Sequence, residues 1–301
     1  MGHEFCGRVF EIPPGTKTGL KLGQSVMVDP RICCRQCSRC TSDVSNMCTK
    51  WAFLGLFGGG GGGLSQYVAV DADMCHPVPE SILPWAALIE PLVVARHALK
   101  LLDSDLFKPS TTALVIGGGP IGLGVIHNLR VKGMVTKIIV SEPSPTRRAQ
   151  VARFCLEALD PTVVDVAERC LAHTGGIGVD ILVDCAGVEK AFKDGFKALG
   201  PRGAAVMVAG ITQPDLKVPI TMLMGKELRL HGSLAYDESD FREVVEEFVT
   251  GKFDEAKSMI TSRIKVDDVV EKGFEELLRN KDNQIKILVT PKDLDLTKPI
   301  S

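Results

Sequence analysis

Four thiols stand close together in this sequence. Cys34, Cys37, Cys40 and Cys48 follow the pattern C-x2-C-x2-C-x7-C. Thiolates at this spacing can wrap one tetrahedral ion, and an all-cysteine site leaves no open position for a substrate. The chemistry they offer is therefore structural zinc, with an iron–sulfur cluster or free thiols as the alternatives. Cys33 is adjacent and surplus. Residues 1–20 lack the basic-then-apolar order of a signal peptide. Clustered cysteines without such a leader favour metal over disulfides. Cys75, Cys155, Cys170 and Cys185 are scattered in apolar contexts and read as core residues.

A second group could hold an open metal site. Gly2-His3-Glu4-Phe5-Cys6-Gly7 reads as the start of a glycine-flanked strand, and Glu90 stands in Ile89-Glu90-Pro91-Leu92. A buried carboxylate is costly unless it is paired or binds metal. A histidine plus carboxylates is one form of catalytic zinc site. A surface His–Glu pair and a helix-capping Glu90 remain the alternatives on spacing alone. Cys6 would share a strand face with Glu4 rather than with His3, so it is not expected to join the group.

A third group could grip a dinucleotide. Gly117-Gly118-Gly119-Pro120-Ile121-Gly122 fits G-x-G-x-x-G. It follows a β-rich run and opens a helical one. In that context the first glycine makes the turn, the second admits a pyrophosphate, and the third allows close helix–strand packing. The helix start offers free N–H groups to phosphate. Glu142 lies about 20 residues beyond Gly122, where an acid accepts hydrogen bonds from the adenosine ribose. A carboxylate there repels a 2′-phosphate, so NAD is expected over NADP. Arg147 and Arg148 are the counter-argument, unless they only form a solvated first turn.

These groups need elements to position them. Residues 1–95 are rich in Gly, Pro and Cys, with short β-type runs at Ser25–Val28 and Tyr67–Val70 and no long helical period. Residues 96–235 alternate strands with helices: Thr112–Ile116, the helix Ile121–Lys132, Lys137–Val140, Asp180–Val183 and Ala205–Ala209. That alternation implies a parallel sheet covered on both faces. Residues 236–301 offer an amphipathic helix through Phe241, Val244, Val245, Phe248 and Val249. Ser239 or Asp237 can cap it, and Gly251 can end it. A second such face runs through Val269, Val270, Phe274, Leu277 and Leu278, before a last strand at Ile285–Thr290. The thirty glycines cluster at 58–63, 117–122 and 175–178, which suggests backbone-shaped binding loops.

Composition excludes several classes. The 301 residues are 45% hydrophobic and 24% charged, enough for a sizeable core. Lys plus Arg number 35 against 37 Asp plus Glu, a net charge of −2, which argues against a general nucleic-acid binder. Arg31, Arg35 and Arg39 around the cysteines suggest one only faintly. No apolar run reaches about 18 residues, so no membrane span is expected. A cytoplasmic protein is expected.

With these motifs in view, the chain resembles the zinc-containing medium-chain alcohol and polyol dehydrogenases. The closest branch holds butanediol, sorbitol and threonine dehydrogenases. The likeness covers nearly the whole chain. It is carried by GHEFCGRV (2–9), LKLGQSVMVDP (20–30), the cysteine lobe (34–48), FGGGGGGLSQYVAV (57–70), IEPLVVARHAL (89–99), VIGGGPIGL (115–123), IVSEPSPTRR (139–148), DILVDCAG (180–187), GKELRLHGSLAY (225–236) and DNQIKILVTP (282–291). The resemblance implies an α/β enzyme: a doubly wound Rossmann sheet at 96–235, inserted between the 1–95 and 236–301 parts of a GroES-like, β-rich catalytic domain. It implies that His3, Glu4 and Glu90 belong to a catalytic zinc site, with His3 and Glu90 ranked above Glu4. Cys34, Cys37, Cys40 and Cys48 match the structural zinc lobe. Gly117, Gly119, Pro120, Ile121, Gly122 and Glu142 match the NAD site.

The implied reaction is reversible hydride transfer between a secondary alcohol or vicinal diol and NAD. The implied partners are a small alcohol or polyol and further copies of the chain, in a homodimer or homotetramer that pairs through the Rossmann sheet edge. Complete relatives carry a further segment before GHE, with a cysteine ligand in a CG-x-D motif. Here Met1 stands one residue before Gly2, so an N-terminally truncated chain with a weakened zinc site and exposed sheet edges is expected. A catalytically impaired protein that still binds nucleotide and zinc is the competing expectation.

Overall fold

A computed structural model describes residues 1–131, 133, 135–208 and 216–290. Lys132, Ala209 and Pro291, which end three of the predicted segments, lie outside the described residues. The chain divides into two compact units. Unit one comprises Met1–Val93, Ala235–Arg279 and Ile287–Ser301, and unit two comprises Val94–Leu234 and Asn280–Lys286. The stretch Asn280–Lys286 thus groups with unit two, not with the C-terminal return.

Unit one begins with short strands. β1 (Cys6–Arg8), β2 (Ser25–Val28) and a later strand, Cys75–Pro77, form an antiparallel sheet with β2 in the centre. All four β2 residues are buried. Val26, Val28, Leu54 and Met74 pack there with Phe5, Val9 and Ile32. β3 (Arg31–Ile32) pairs with β4 (Ala52–Phe53), and the cysteine lobe with the one-turn helix α1 (Ser38–Thr41) lies between them. Cys75–Pro77 is β5. Tyr67–Val70, read as a strand, is irregular, and Tyr67 is exposed.

Residues 80–100 are helical throughout, a 3-10 stretch Glu80–Leu88 followed by α2 (Ile89–Lys100). The sequence showed no helical period there because the stretch is apolar on nearly all sides. An 18-residue window within these 21 residues has a mean hydropathy of 1.4, long and apolar enough to cross a membrane by length and composition. The expectation that no such run exists is therefore corrected. Some 83% of that window is buried within the protein, which is how a core helix reads.

Unit two is built on six parallel strands: β6 (Thr112–Ile116), β7 (Lys137–Ser141), β8 (Glu157–Leu159), β9 (Val179–Asp184), β10 (Leu199–Met207) and β11 (Arg229–Gly232). Their order is β11-β10-β9-β6-β7-β8. Counting along the chain, that is the doubly wound 3-2-1-4-5-6 order of dinucleotide-binding folds. The helices α3 (Pro120–Val131), α4 (Pro145–Val151), α5 (Val166–His173), α6 (Glu189–Ala198) and α7 (Ile220–Gly225) fill the connections. β6 is wholly buried, as the middle of a sheet covered on both faces must be. Leu114, Ile116, Leu182, Phe192 and Phe196 form one core beneath α5 and α6.

The chain then returns to unit one through α8 (Glu238–Val249), capped by Asp237 in a reciprocal box with Asp240. Phe241, Val244, Val245 and Phe248 are buried, as their spacing requires. The second amphipathic face behaves otherwise. Val269–Glu275 is a π-helix that runs into α9 (Glu276–Arg279), and Val270, Phe274, Leu277 and Leu278 are exposed. β12 (Ile260–Lys265) and β13 (Lys286–Thr290) pair with each other alone among the described strands.

Candidate active site

The cysteine lobe gathers its donors tightly. The sulfurs of Cys34, Cys37, Cys40 and Cys48 all lie within 4.8 Å of one another. Cys34 and Cys40 are 3.9 Å apart, and Cys37 and Cys40 are 3.5 Å apart. A zinc ion with bonds near 2.3 Å needs sulfurs about 3.8 Å apart at the corners of its tetrahedron. The lobe therefore fits zinc. Backbone N–H groups already point at the sulfurs: Cys34 and Lys50 both donate to Cys48 Sγ at 3.3 Å. Such donors favour thiolate. The Cys37 thiol is drawn down to about 5, first by the backbone N–H of Thr49. The Cys48 thiol is also lowered, first by the N–H of Cys34. Cys33 stays outside the group and donates to Ser45 O.

A second donor set forms in the same unit from distant parts of the sequence. One ligand atom from each of His3, Glu4 and Glu90 lies within 4.8 Å of the others. Strand alternation would send His3 and Glu4 to opposite faces. They share one because residues 3 and 4 form a bend, and the strand starts only at Cys6. Cys6 takes no part in this set and donates to Leu83 O.

Glycines fix the bend. The Gly2 N–H donates to Gly55 O, and Gly63 N–H donates to Gly2 O at 2.7 Å. A Cβ on Gly55 would sit 2.1 Å from Gly2 O, and one on Gly62 would sit 2.6 Å from it. The 58–63 run thus clasps the backbone beside His3, where a binding loop was expected. On the other side, α2 starts at Ile89 and places Glu90 in its first turn, 2% exposed. His3 lies edge-on to Phe53 at 5.4 Å.

Tyr236 is a functional candidate that the motif reading missed. It is completely buried, and its hydroxyl lies beside the Glu90 carboxyl without a well-formed hydrogen bond to it. Burial and then the Glu90 charge push its hydroxyl well above the ordinary tyrosine range. The signal was an aromatic with a polar tip in an apolar run. Arg31 was read as faint support for nucleic-acid binding. It is buried, pairs with Asp29 and lies 4.9 Å over the Tyr236 ring. Arg35 pairs with Asp73, and Arg39 donates to Met47 O.

The glycine loop of unit two lies at the C-terminal end of β6, between β6 and β9, where the strand order reverses. Ligands of such sheets bind at that crevice. Gly117 has φ +96°, which suits glycine. A Cβ on Gly122 would lie 1.9 Å from Gly117 O, so close packing demands glycine there. A Cβ on Gly119 would meet nothing nearer than Arg147 Nη1 at 3.9 Å, which leaves the approach to the backbone open. Pro120 starts α3, where its missing N–H is no loss. These features fit a dinucleotide.

Glu142 is 4% exposed and ties the loop to the next helix. It accepts from Gly118 N–H at 2.6 Å and from Ser144 N–H at 2.8 Å. Arg147 and Arg148 are no solvated turn. Arg147 donates to Lys281 O and Gln284 O, with its Nε buried and unpartnered. Arg148 donates to Glu142 O and Pro143 O and pairs with Asp160.

Comparison with known proteins agrees with this architecture. Residues 1–80 match the alcohol dehydrogenase GroES-like domain, and residues 120–250 match the zinc-binding dehydrogenase family. The chain is 37% identical to the (R,R)-butanediol dehydrogenase of Neisseria gonorrhoeae, over 97% of this chain and 80% of that protein. The crystal structure of 2R,3R-butanediol dehydrogenase from Bacillus subtilis superposes with a TM-score of 0.83 at 32% identity, over 97% of this chain and 80% of that one. A zinc-binding dehydrogenase from Sinorhizobium meliloti, bound to NADP, has a TM-score of 0.83 at 27% identity, covering 96% and 82%. An alcohol dehydrogenase from Escherichia coli, complexed with NADH, has a TM-score of 0.84 at 25% identity, covering 96% and 82%. The chain belongs to the medium-chain zinc alcohol dehydrogenase family, whose enzymes use zinc and a nicotinamide cofactor on small alcohols.

Proposed function

We propose that this protein is an NAD-dependent dehydrogenase of secondary alcohols, with vicinal diols of the butane-2,3-diol type as its substrate class. The observation that carries this reading is the convergence of His3, Glu4 and Glu90 on one point in unit one. Zinc held there would supply a Lewis acid that polarises the alcohol oxygen. The nicotinamide cofactor would supply the hydride acceptor.

The protein's own part is binding and orientation. Glu90, on a rigid helix start, and His3, on a glycine-clasped bend, offer one neutral and one anionic donor. Glu4 offers a second carboxylate. A diol has two adjacent oxygens, which suits a donor set that leaves more than one position open. The neutral Tyr236 hydroxyl lies buried beside Glu90. Cys34, Cys37, Cys40 and Cys48 would hold a second, closed zinc that keeps the lobe folded.

Glu142 supports NAD over NADP, because a 2′-phosphate would meet its buried charge. Arg147 and Arg148 are held by carbonyl groups and Asp160, which weakens their claim on that phosphate. The reading is tested by following NADH formation with butane-2,3-diol, sorbitol and threonine, and by titrating both cofactors. Turnover of the diol with NAD at least about tenfold tighter than NADP is expected. Tighter NADP would show that the arginines outweigh Glu142, and no NADH with any of the three would overturn the enzyme reading. A second reading, a nucleotide- and zinc-binding protein without turnover, is favoured by one observation: among the described residues no thiol joins the His3 set.

A further inference from the structure

We propose that Arg31 is a positioning residue that ties the four-cysteine lobe to the His3–Glu4–Glu90 set by fixing Tyr236, whose ring reaches His3 through Phe53. The inference rests on the reading of that set as a metal site. All its parts lie in unit one.

Four hydrogen bonds hold the guanidinium. Nε donates to Asp29 Oδ1 at 3.0 Å, and Nη2 donates to Asp29 Oδ2 at 2.6 Å. That fork fixes the plane of the group. The remaining nitrogen, Nη1, donates in two directions. One bond goes to Ser45 Oγ at 2.9 Å and the other to the Tyr236 carbonyl at 2.8 Å. Ser45 stands in the lobe, between Cys40 and Cys48. Its hydroxyl donates on to Asp237 Oδ1 at 3.1 Å, and the Asn46 N–H reaches the same oxygen at 3.2 Å. Arg31 and the lobe therefore grip residues 236 and 237 through two side chains and one backbone N–H.

The same arginine also sets the ring. Its guanidinium carbon is 4.9 Å from the Tyr236 centroid. Phe53 at 6.3 Å and Phe241 at 5.7 Å hold the ring on other sides. Phe53 also touches His3. A continuous line of contacts thus runs from the cysteine loop through Arg31, Tyr236 and Phe53 to His3. A buried ion pair is a poor source of net stability, so the return on burying Asp29 and Arg31 lies in geometry. A lysine could balance Asp29 but could not supply four bonds from a fixed planar fork or a flat face to the ring.

The test uses the full chain with 13Cζ-labelled tyrosine and zinc titration. Only two tyrosines exist, Tyr67 and Tyr236, so two signals are seen. Ser45→Ala removes two hydrogen bonds, those with Arg31 Nη1 and Asp237 Oδ1, and touches neither metal set. We expect the Tyr236 signal to move and the Tyr67 signal to stay, while the weaker of two bound zinc ions loses about three- to tenfold in affinity. Arg31→Lys is expected to lose about ten- to a hundredfold in the same ion. An unmoved Tyr236 signal in Ser45→Ala, or wild-type affinity in Arg31→Lys, overturns the proposal. If the unaltered chain takes only one zinc, the metal reading falls by itself, and the Tyr236 signal still decides whether the lobe governs that ring.

Discussion

The two donor sets of unit one solve the same problem in opposite ways. The cysteine set is local. Its four members fall within 15 residues, so a short loop carries them all and the spacing alone announces them. The His3 set is assembled from residues 3, 4 and 90, brought together by a glycine clasp and the start of α2. The local set is closed, and its chemistry is to hold the chain. The distant set is half-buried at His3 and Glu4 and buried at Glu90, and its donors are oxygen and nitrogen. A closed set serves the fold, whereas an open one can serve a substrate, and the two should fail differently when altered.

The largest effect is expected in the local set. Cys40→Ser should remove the lobe's zinc and cost several kcal/mol of stability, because zinc binding there is folding energy. Metal analysis and a thermal melt followed by circular dichroism check this; a variant that melts like the unaltered protein would show that the lobe does not depend on metal. Next comes a site in unit two that both sets leave untouched. Gly122→Ala puts a methyl 1.9 Å from Gly117 O, so the loop must shift. Cofactor binding should weaken about tenfold or more, with a stability loss of about 1–3 kcal/mol. Unchanged cofactor affinity by fluorescence titration would place the dinucleotide elsewhere.

The smallest effect concerns the ring between the two sets. The Tyr236 hydroxyl is raised in the folded state, while a tyrosine in the unfolded chain ionises near pH ~10. Below that pH both states are neutral and the residue has no effect on the pH dependence. Above it the unfolded chain loses a proton that the folded chain keeps, so stability falls as pH rises. Relative to Tyr236→Phe, the unaltered protein should lose about 1.4 kcal/mol per pH unit beyond ten. Parallel denaturation curves for the two proteins from pH 9 to 11 would contradict this.

Legibility in the sequence follows the same division. The doubly wound sheet was readable because β6, β9 and β10 are short apolar runs with glycine within a few residues, and β6 with Gly117–Gly122 is one continuous signal. The cysteine lobe was readable from spacing. His3, Glu4 and Glu90 were found as residues, but their convergence rests on a bend at residues 3 and 4 that strand alternation does not foresee. Arg31 and Tyr236 were misread or missed because their partners lie some 200 residues apart in the chain. The face through Val270, Phe274 and Leu278 shows the converse error: helical spacing names an apolar face but not what covers it.

The central claim is that this chain carries a second metal site built from His3, Glu4 and Glu90. Zinc counted per chain, in the unaltered protein and in Glu90→Gln purified side by side, tests it most directly. Two ions falling to one, with the melt unchanged, is the predicted result. One ion in both proteins would contradict it.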